Sequence, residues 1–224
     1  MTGSFATSGR SWPSTVRPDL HHCRVGDAFI FLDISSDRYS MIEGKAAARF
    51  DRFLQGKALA DDLDWLGARG LLCPSGSAHS RVVNTVPLPT ASLVDVPLER
   101  AGVWSIATCL LEQRAARREI ARRRLSDIVA DIETTSQSFV DPDGETCRAV
   151  AATFLRARRY VSAIDQCLPR ALAMKRCLLR RRFSCFLVFG VTLPFSAHCW
   201  VQTGSTVLTD PLDLVRPFHP IFAV

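Results

Sequence analysis

The sequence predicts an α+β fold made of two units in tandem. Three observations carry this expectation. Short strand-like runs are followed by helical ones between Ala28 and Leu72. A stretch dotted with Pro74, Pro87, Pro89 and Pro97 then reads as a surface linker. Beyond it come helical stretches and finally apolar strands. With 224 residues the chain is long enough for one large domain or two small ones, each with a buried core.

The first unit opens with strands. Ala28 to Asp33 (AFIFLD) and Arg38 to Ile42 (RYSMI) are apolar and rich in strand formers. Ile34-Ser35-Ser36-Asp37 supplies the turn residues of a hairpin between them. Residues around His22 to Val25 can add a third strand. After Gly44, KAAARFDRFLQ has helical composition and stops at Gly56. A second helix is expected from about Leu59 to Leu72, carrying Leu63, Trp65 and Leu66 and closed by Pro74.

In the second unit, Glu99 to Glu133 reads as one long helix. Asp141-Pro142-Asp143-Gly144 is a turn, and Glu145 to Tyr160 a further helix. A helix from Asp165 or Cys167 to about Arg182 is next, with Pro169 in its first turn, where a missing N–H is tolerated. Ser184 to Val191 (SCFLVFGV) reads as a buried strand. His198 to Gln202 and Thr206 to Asp210 flank Thr203-Gly204-Ser205 as a hairpin.

Composition narrows the function classes. Hydrophobic residues are 47% and charged ones 22%, the balance of a globular protein. The longest apolar run, Phe183 to Phe195, is far short of the ~20 residues that cross a bilayer. The N-terminal MTGSFATSGRSWPS lacks a signal-peptide core, so a cytoplasmic location is expected, with no membrane partner. In that reducing setting the eight cysteines are expected as free thiols. None forms a C-x-x-C pair, so no structural metal is expected. His21-His22-Cys23 lacks a carboxylate or second cluster to complete a metal site. The net charge of +6 is concentrated around Arg114, Arg117, Arg118 and Arg122 to Arg124. With Glu112 and Glu119 beside them and few aromatics between, these arginines read as a solvated helix face, and no nucleic-acid partner is expected.

Chemistry concentrates in the last third. Cys167 stands at a helix start, where the positive end of the helix and its unpaired N–H groups favour a thiolate and can hold an oxyanion. With a three-residue loop at 203–205, His198 faces Asp210, Trp200 faces Leu208 and Gln202 faces Thr206. Opposed residues have Cβ atoms ~4.5–5.5 Å apart, close enough for a carboxylate to orient an imidazole. A two-residue Gly204-Ser205 turn is the competing register; it sets His198 opposite Pro211 and turns Asp210 to the other face unless a bulge restores it. Cys167, His198 and Asp210 then fill the roles of nucleophile, general base and orienting carboxylate. Asp213 is the alternative orienter, and His219 reads as surface or packing.

The motifs C-L-P-R-A-L-A-M, H-C-W-V and L-T-D-P-L together resemble the B protein of lasso-peptide biosynthesis. That resemblance implies a transglutaminase/papain-like α+β peptidase domain with Cys167, His198 and Asp210 as its triad. Cys199 departs from the pattern, since a small residue is common there. The segment VGDAFIFLDISSDRYSMIEG resembles the start of a PqqD-like unit, a small winged-helix-like leader-binding domain. The implied division is a flexible tail at 1–18, a leader-recognition domain at 19–82, a linker at 83–100 and a cysteine peptidase domain at 101–224. Leader contacts are expected at Arg38, Tyr39, Ser40, Met41 and Ile42, with Leu63 and Leu66 on the other wall of the groove.

The implied function is removal of the leader from a lasso precursor peptide. The freed amine passes to a separate ATP-dependent macrolactam cyclase as partner. No cofactor is expected in this chain, which has no phosphate-binding G-x-x-x-x-G-K-[ST] loop. Three rivals stand beside this reading: an acyl-transferring transglutaminase, a winged-helix nucleic-acid binder, and a leader-binding adaptor with an inactive transglutaminase-like domain.

Overall fold

The structure, a computed structural model, describes residues 15–73, 86–135, 144–161 and 166–224. Its N-terminal part is strands then helices. Strands β1 (Thr15–Val16), β2 (Leu20–Val25), β3 (Ala28–Asp33) and β4 (Arg38–Ile42) precede α1 (Gly44–Leu54) and α2 (Ala60–Ala68), and β5 (Leu72–Cys73) pairs back onto β1. β2, β3 and β4 form an antiparallel meander with β3 in the centre.

The unbroken apolar run in β3 has a physical cause: both of its faces are buried. Phe29 and Phe31 point toward α1 and α2, each with its ring centroid 5.0 Å from that of Phe50. Ile30 and Leu32, with Ile34 just beyond, point the other way and join the main core of the C-terminal part. The two parts therefore share one apolar interior. His21 adds to it by packing its ring against Phe222, centroids 4.1 Å apart.

The C-terminal part sets helices against a sheet. α3 (Val103–Ile120), α4 (Leu125–Thr135), α5 (Gly144–Ala157) and α6 (Cys167–Arg180) precede β7 (Phe186–Thr192), β8 (Ser196–Thr203), β9 (Thr206–Val207), the short α7 (Leu212–Val215) and β10 (His219–Ala223). With β6 (Ala91–Ser92), these strands form a five-stranded sheet in the order β10-β7-β8-β9-β6. α6 is its buried helix: Ala171, Leu172, Ala173, Met174 and Leu178 are all within the core. No helix among the described residues is long and apolar enough to cross a membrane.

Several sequence expectations change. The second helix ends at Ala68, because Gly70 takes φ 66° and Leu72 enters β5. The expected closure of that helix by Pro74 lies outside the described residues, as do part of the linker, the turn residues at 141–143 and the alternative helix start at Asp165. The long helix from Glu99 to Glu133 is two. It breaks between Ile120 and Leu125, where the β3–β4 turn docks: Asp37 Oδ1 accepts from the Leu125 N–H at 3.1 Å, and the Ile34 carbonyl from Ser126 at 3.2 Å. A tertiary contact thus starts α4 where local composition favours continuation. Residues 91–95, read as linker, are built into the C-terminal sheet: β6 pairs in parallel with β9. Asp95 Oδ2 accepts from the Leu212 N–H at 3.0 Å and so starts α7.

Candidate active site

Cys167 is the first residue of α6, and Pro169 within that first turn gives up an N–H that the helix does not use. The His198 side chain is the largest influence on the sulfur and, with the backbone N–H groups of Leu168 and Cys199, holds the thiol below its ordinary value against the opposing effect of burial. Four other thiols shift the opposite way: burial pushes Cys23 and Cys185 up to about 11 and Cys109 to about 12, and raises Cys199 well above its ordinary value. The helix start and the imidazole single out one sulfur.

His198 lies on β8 opposite Gly190 of β7. That glycine leaves room for the Trp200 ring, since a Cβ there would stand 2.5 Å from Trp200 Cζ3 and 3.0 Å from Phe218 Cβ. Trp200 is fully buried, its indole N–H fixed by Gln202 Oε1 at 2.7 Å. The His198 ring lies between this indole at 6.3 Å, near parallel to it, and Phe218 at 5.3 Å. Its Nε2 is 3.4 Å from Asp210 Oδ2. This is charge-pair range without a well-angled hydrogen bond, as often found in catalytic pairs without substrate. With Nε2 turned to the carboxylate, Nδ1 is left for the sulfur. Burial opposes charge on His198, but Asp210 and Cys167 together outweigh it and raise the imidazole to about 9.

Asp210 reaches His198 by a route that differs from the expected one. Gln202 pairs with Val207 and Thr203 with Thr206, so the loop is the two-residue Gly204-Ser205 turn. Gly204 takes φ 50°, as the first central residue of a type II′ turn requires. The three-residue register is therefore corrected. The ladder ends early: the Leu208 N–H still meets the Val201 carbonyl at 2.8 Å, but the Val201 N–H turns to Thr209 Oγ1 at 3.1 Å. The chain bends there and brings the Asp210 carboxylate back beneath His198.

The surroundings of Asp210 were largely missed from sequence. Ser92 Oγ donates to its carbonyl at 2.7 Å. Arg170 Nη1 is 3.5 Å and Arg158 Nη1 3.8 Å from Oδ1. Burial favours protonation of Asp210, yet His198, Thr209 and Arg170 hold its carboxyl below the ordinary value. Arg170, one turn beyond Cys167, was visible as part of the C-L-P-R run; Arg158 had no local signal.

The other sequence candidates fall as follows. Asp213 is exposed at the start of α7, and His198 pairs with Asp210 instead. His219 is exposed in β10. His21 and His22 point to opposite faces of β2, toward Phe222 and Phe50 respectively, so they do not converge on one ion. Arg38 to Ile42 form β4, the outer strand of the meander. Leu63 is half-buried against the α1–α2 core, and Leu66 is fully buried within it, so Leu66 supports that unit from inside rather than walling a groove. Tyr39, cross-strand from Leu32, faces the C-terminal part, its ring 5.5 Å from Phe195. Burial raises its hydroxyl, and negative charge on Cys199 and Cys167 adds to that effect.

A cavity of about 200 Å³ lies between the two parts, lined by Leu32, Tyr39, Ile128, Phe189 and Leu168, the neighbour of Cys167. A larger one of about 820 Å³ opens between α3, α5 and the end of α6, and Cys167, His198 and Asp210 are not in its wall. The smaller cavity adjoins the three residues through Leu168 and does not itself contain them.

One family model matches, described as Transglut_core3, Transglutaminase-like superfamily, over residues 110–223. Cys167, His198 and Asp210 all lie within it. No curated protein and no solved structure matches the chain.

Proposed function

The chain belongs to the transglutaminase-like superfamily, and within it we propose a cysteine peptidase that removes the leader from a lasso precursor peptide, with Cys167, His198 and Asp210 as its triad. One observation carries the reading: three side chains from α6, β8 and the bend after β9 converge, with His198 the main influence on the Cys167 thiol and 3.4 Å from Asp210. The lowered thiol and the imidazole at about 9 favour a thiolate–imidazolium pair at neutral pH.

The thiolate attacks the scissile carbonyl carbon, and the carbonyl π pair moves to oxygen. N–H groups at the start of α6 stabilise that oxyanion. As it collapses, the C–N bond breaks and His198 gives its proton to the departing amine, the new N-terminus of the core peptide. The leader is left as a thioester on Cys167. Water then attacks, His198 takes its proton, and the leader leaves as a carboxylic acid while the thiolate returns. Asp210 holds the imidazole and stabilises its charged form. The released amine suits a separate ATP-dependent cyclase that forms a macrolactam.

Recognition is assigned to the N-terminal strands, the leader-recognition domain of the 19–82 division. The meander ends at β4, and an extended leader can add there as a further strand, with its backbone paired and alternate side chains in pockets. Tyr39 sits on that strand with its ring 5.5 Å from Phe195 of the C-terminal part, and its hydroxyl is influenced by charge on Cys199 and Cys167.

A peptide chloromethyl ketone tests the assignment. Its adduct is expected on Cys167 alone among the eight cysteines, and slowly in Asp210→Asn protein. Labelling elsewhere with Cys167 untouched rejects the triad.

A further inference from the structure

We propose that Arg158 is a positioning residue which, together with Arg170, clamps Oδ1 of Asp210 and leaves Oδ2 to His198. The inference rests on the triad reading above and adds a function to a residue outside it.

The geometry is asymmetric in an informative way. Among the described charged groups, Oδ2 pairs with His198 at 3.4 Å, whereas Oδ1 faces Nη1 of Arg170 at 3.5 Å and Nη1 of Arg158 at 3.8 Å, and the Thr209 hydroxyl adds a hydrogen bond to the same carboxylate. The three partners come from separate elements: β8, α6, and the 3₁₀ turn Arg158–Tyr160 after α5. A partial turn about the Cβ–Cγ bond would swing Oδ2 away from the imidazole; two guanidiniums on Oδ1 oppose that turn. The backbone is held as well, through Ser92 Oγ on the Asp210 carbonyl.

Two like charges side by side need a reason. The Arg170 side chain is 10% exposed, and its Nε has no hydrogen-bond partner among the described residues. Burial and then the neighbouring Arg158 both work against its charge, so local packing alone does not favour the second arginine. What it does favour is anion at Asp210. Arg158, 35% exposed, can adjust to that carboxylate from the rim, while Arg170 is fixed by its helix. The ionisable groups beside Arg170 are Cys167 and Cys109, with Cys199 next to Asp210 and Tyr39 next to Cys167; negative charge on Cys167 and the Arg170 cation favour one another.

A cation lowers the pKa of every ionisable neighbour, so removing Arg158 raises them together. The test follows the alkylation of Cys167 by iodoacetamide across pH in the full chain, read by mass spectrometry of the peptide bearing Cys167. Arg158→Gln keeps the size and removes the charge. Its rate–pH curve is expected to move to higher pH by up to about one unit. Arg158→Lys is expected to return the curve close to wild type. A Gln variant with a lower rate and an unmoved curve, or a Lys variant that behaves like Gln, overturns the clamp. A wild-type Cys167 that titrates as an ordinary thiol instead overturns the triad reading and the clamp with it.

Discussion

Gly190 has no side chain because Trp200 occupies the space where one would begin: a Cβ at position 190 would lie 2.5 Å from Cζ3 of the indole. Gly190 is also the cross-strand neighbour of His198. One absent methyl therefore sets the indole, and the indole sets the imidazole beside it.

Gly190→Ala is expected to destabilise the protein by about 1–3 kcal/mol through overpacking, because the buried indole has nowhere to move. That corresponds to a fall in Tm of roughly 2–12 °C for a chain of this size. Turnover should fall further than stability, since a displaced indole carries His198 away from Asp210. Thermal unfolding and single-turnover assays on one preparation separate the two effects.

Asp210→Asn keeps the size of the side chain and removes its charge. Turnover is expected to drop about 10²–10⁴-fold, as an amide supports the wrong imidazole tautomer and does not stabilise the cation. Arg170 and Arg158 then face no anion, so a loss of stability accompanies it. Asp213→Asn, on an exposed carboxylate, should leave turnover near wild type. The reverse order would assign the orienting role to Asp213.

The pH profile follows from two displaced groups. Cys167 loses its proton below the ordinary thiol value of 9.0, and His198 keeps its own up to about 9. On the acid side activity falls as the thiolate takes up a proton. On the alkaline side it falls as the imidazolium, the acid for the departing amine, is lost. A bell with a neutral plateau and an upper limb near 9 is expected in initial rates of precursor cleavage. A rate that keeps climbing through the alkaline range, as a free thiol gives, would contradict the ion pair.

What was legible in the sequence follows a physical division. The β3–β4 hairpin and the run Gly144–Ala157 were readable because strand and helix formers there agree with the tertiary structure. Cys167 and His198 were readable because a helix start and a strand carry local signals. The break before Leu125 was not, because its cause is Asp37, distant in sequence and close in space. The hairpin register failed for a related reason. A three-residue and a two-residue turn fit the same residues around Gly204, and Asp210 reaches His198 through a bend beyond the ladder. The burial of β3 on both faces was likewise hidden, since its second cover comes from the far end of the chain.

Leader cleavage by the full chain tests the central claim most directly. A synthetic lasso precursor peptide with leader and core is incubated with wild-type protein and with Cys167→Ala, and the products are weighed by mass spectrometry while binding is followed by calorimetry. The account predicts free leader and core peptide from the wild type, and intact but still bound precursor with Cys167→Ala. Equal cleavage by both proteins would contradict it.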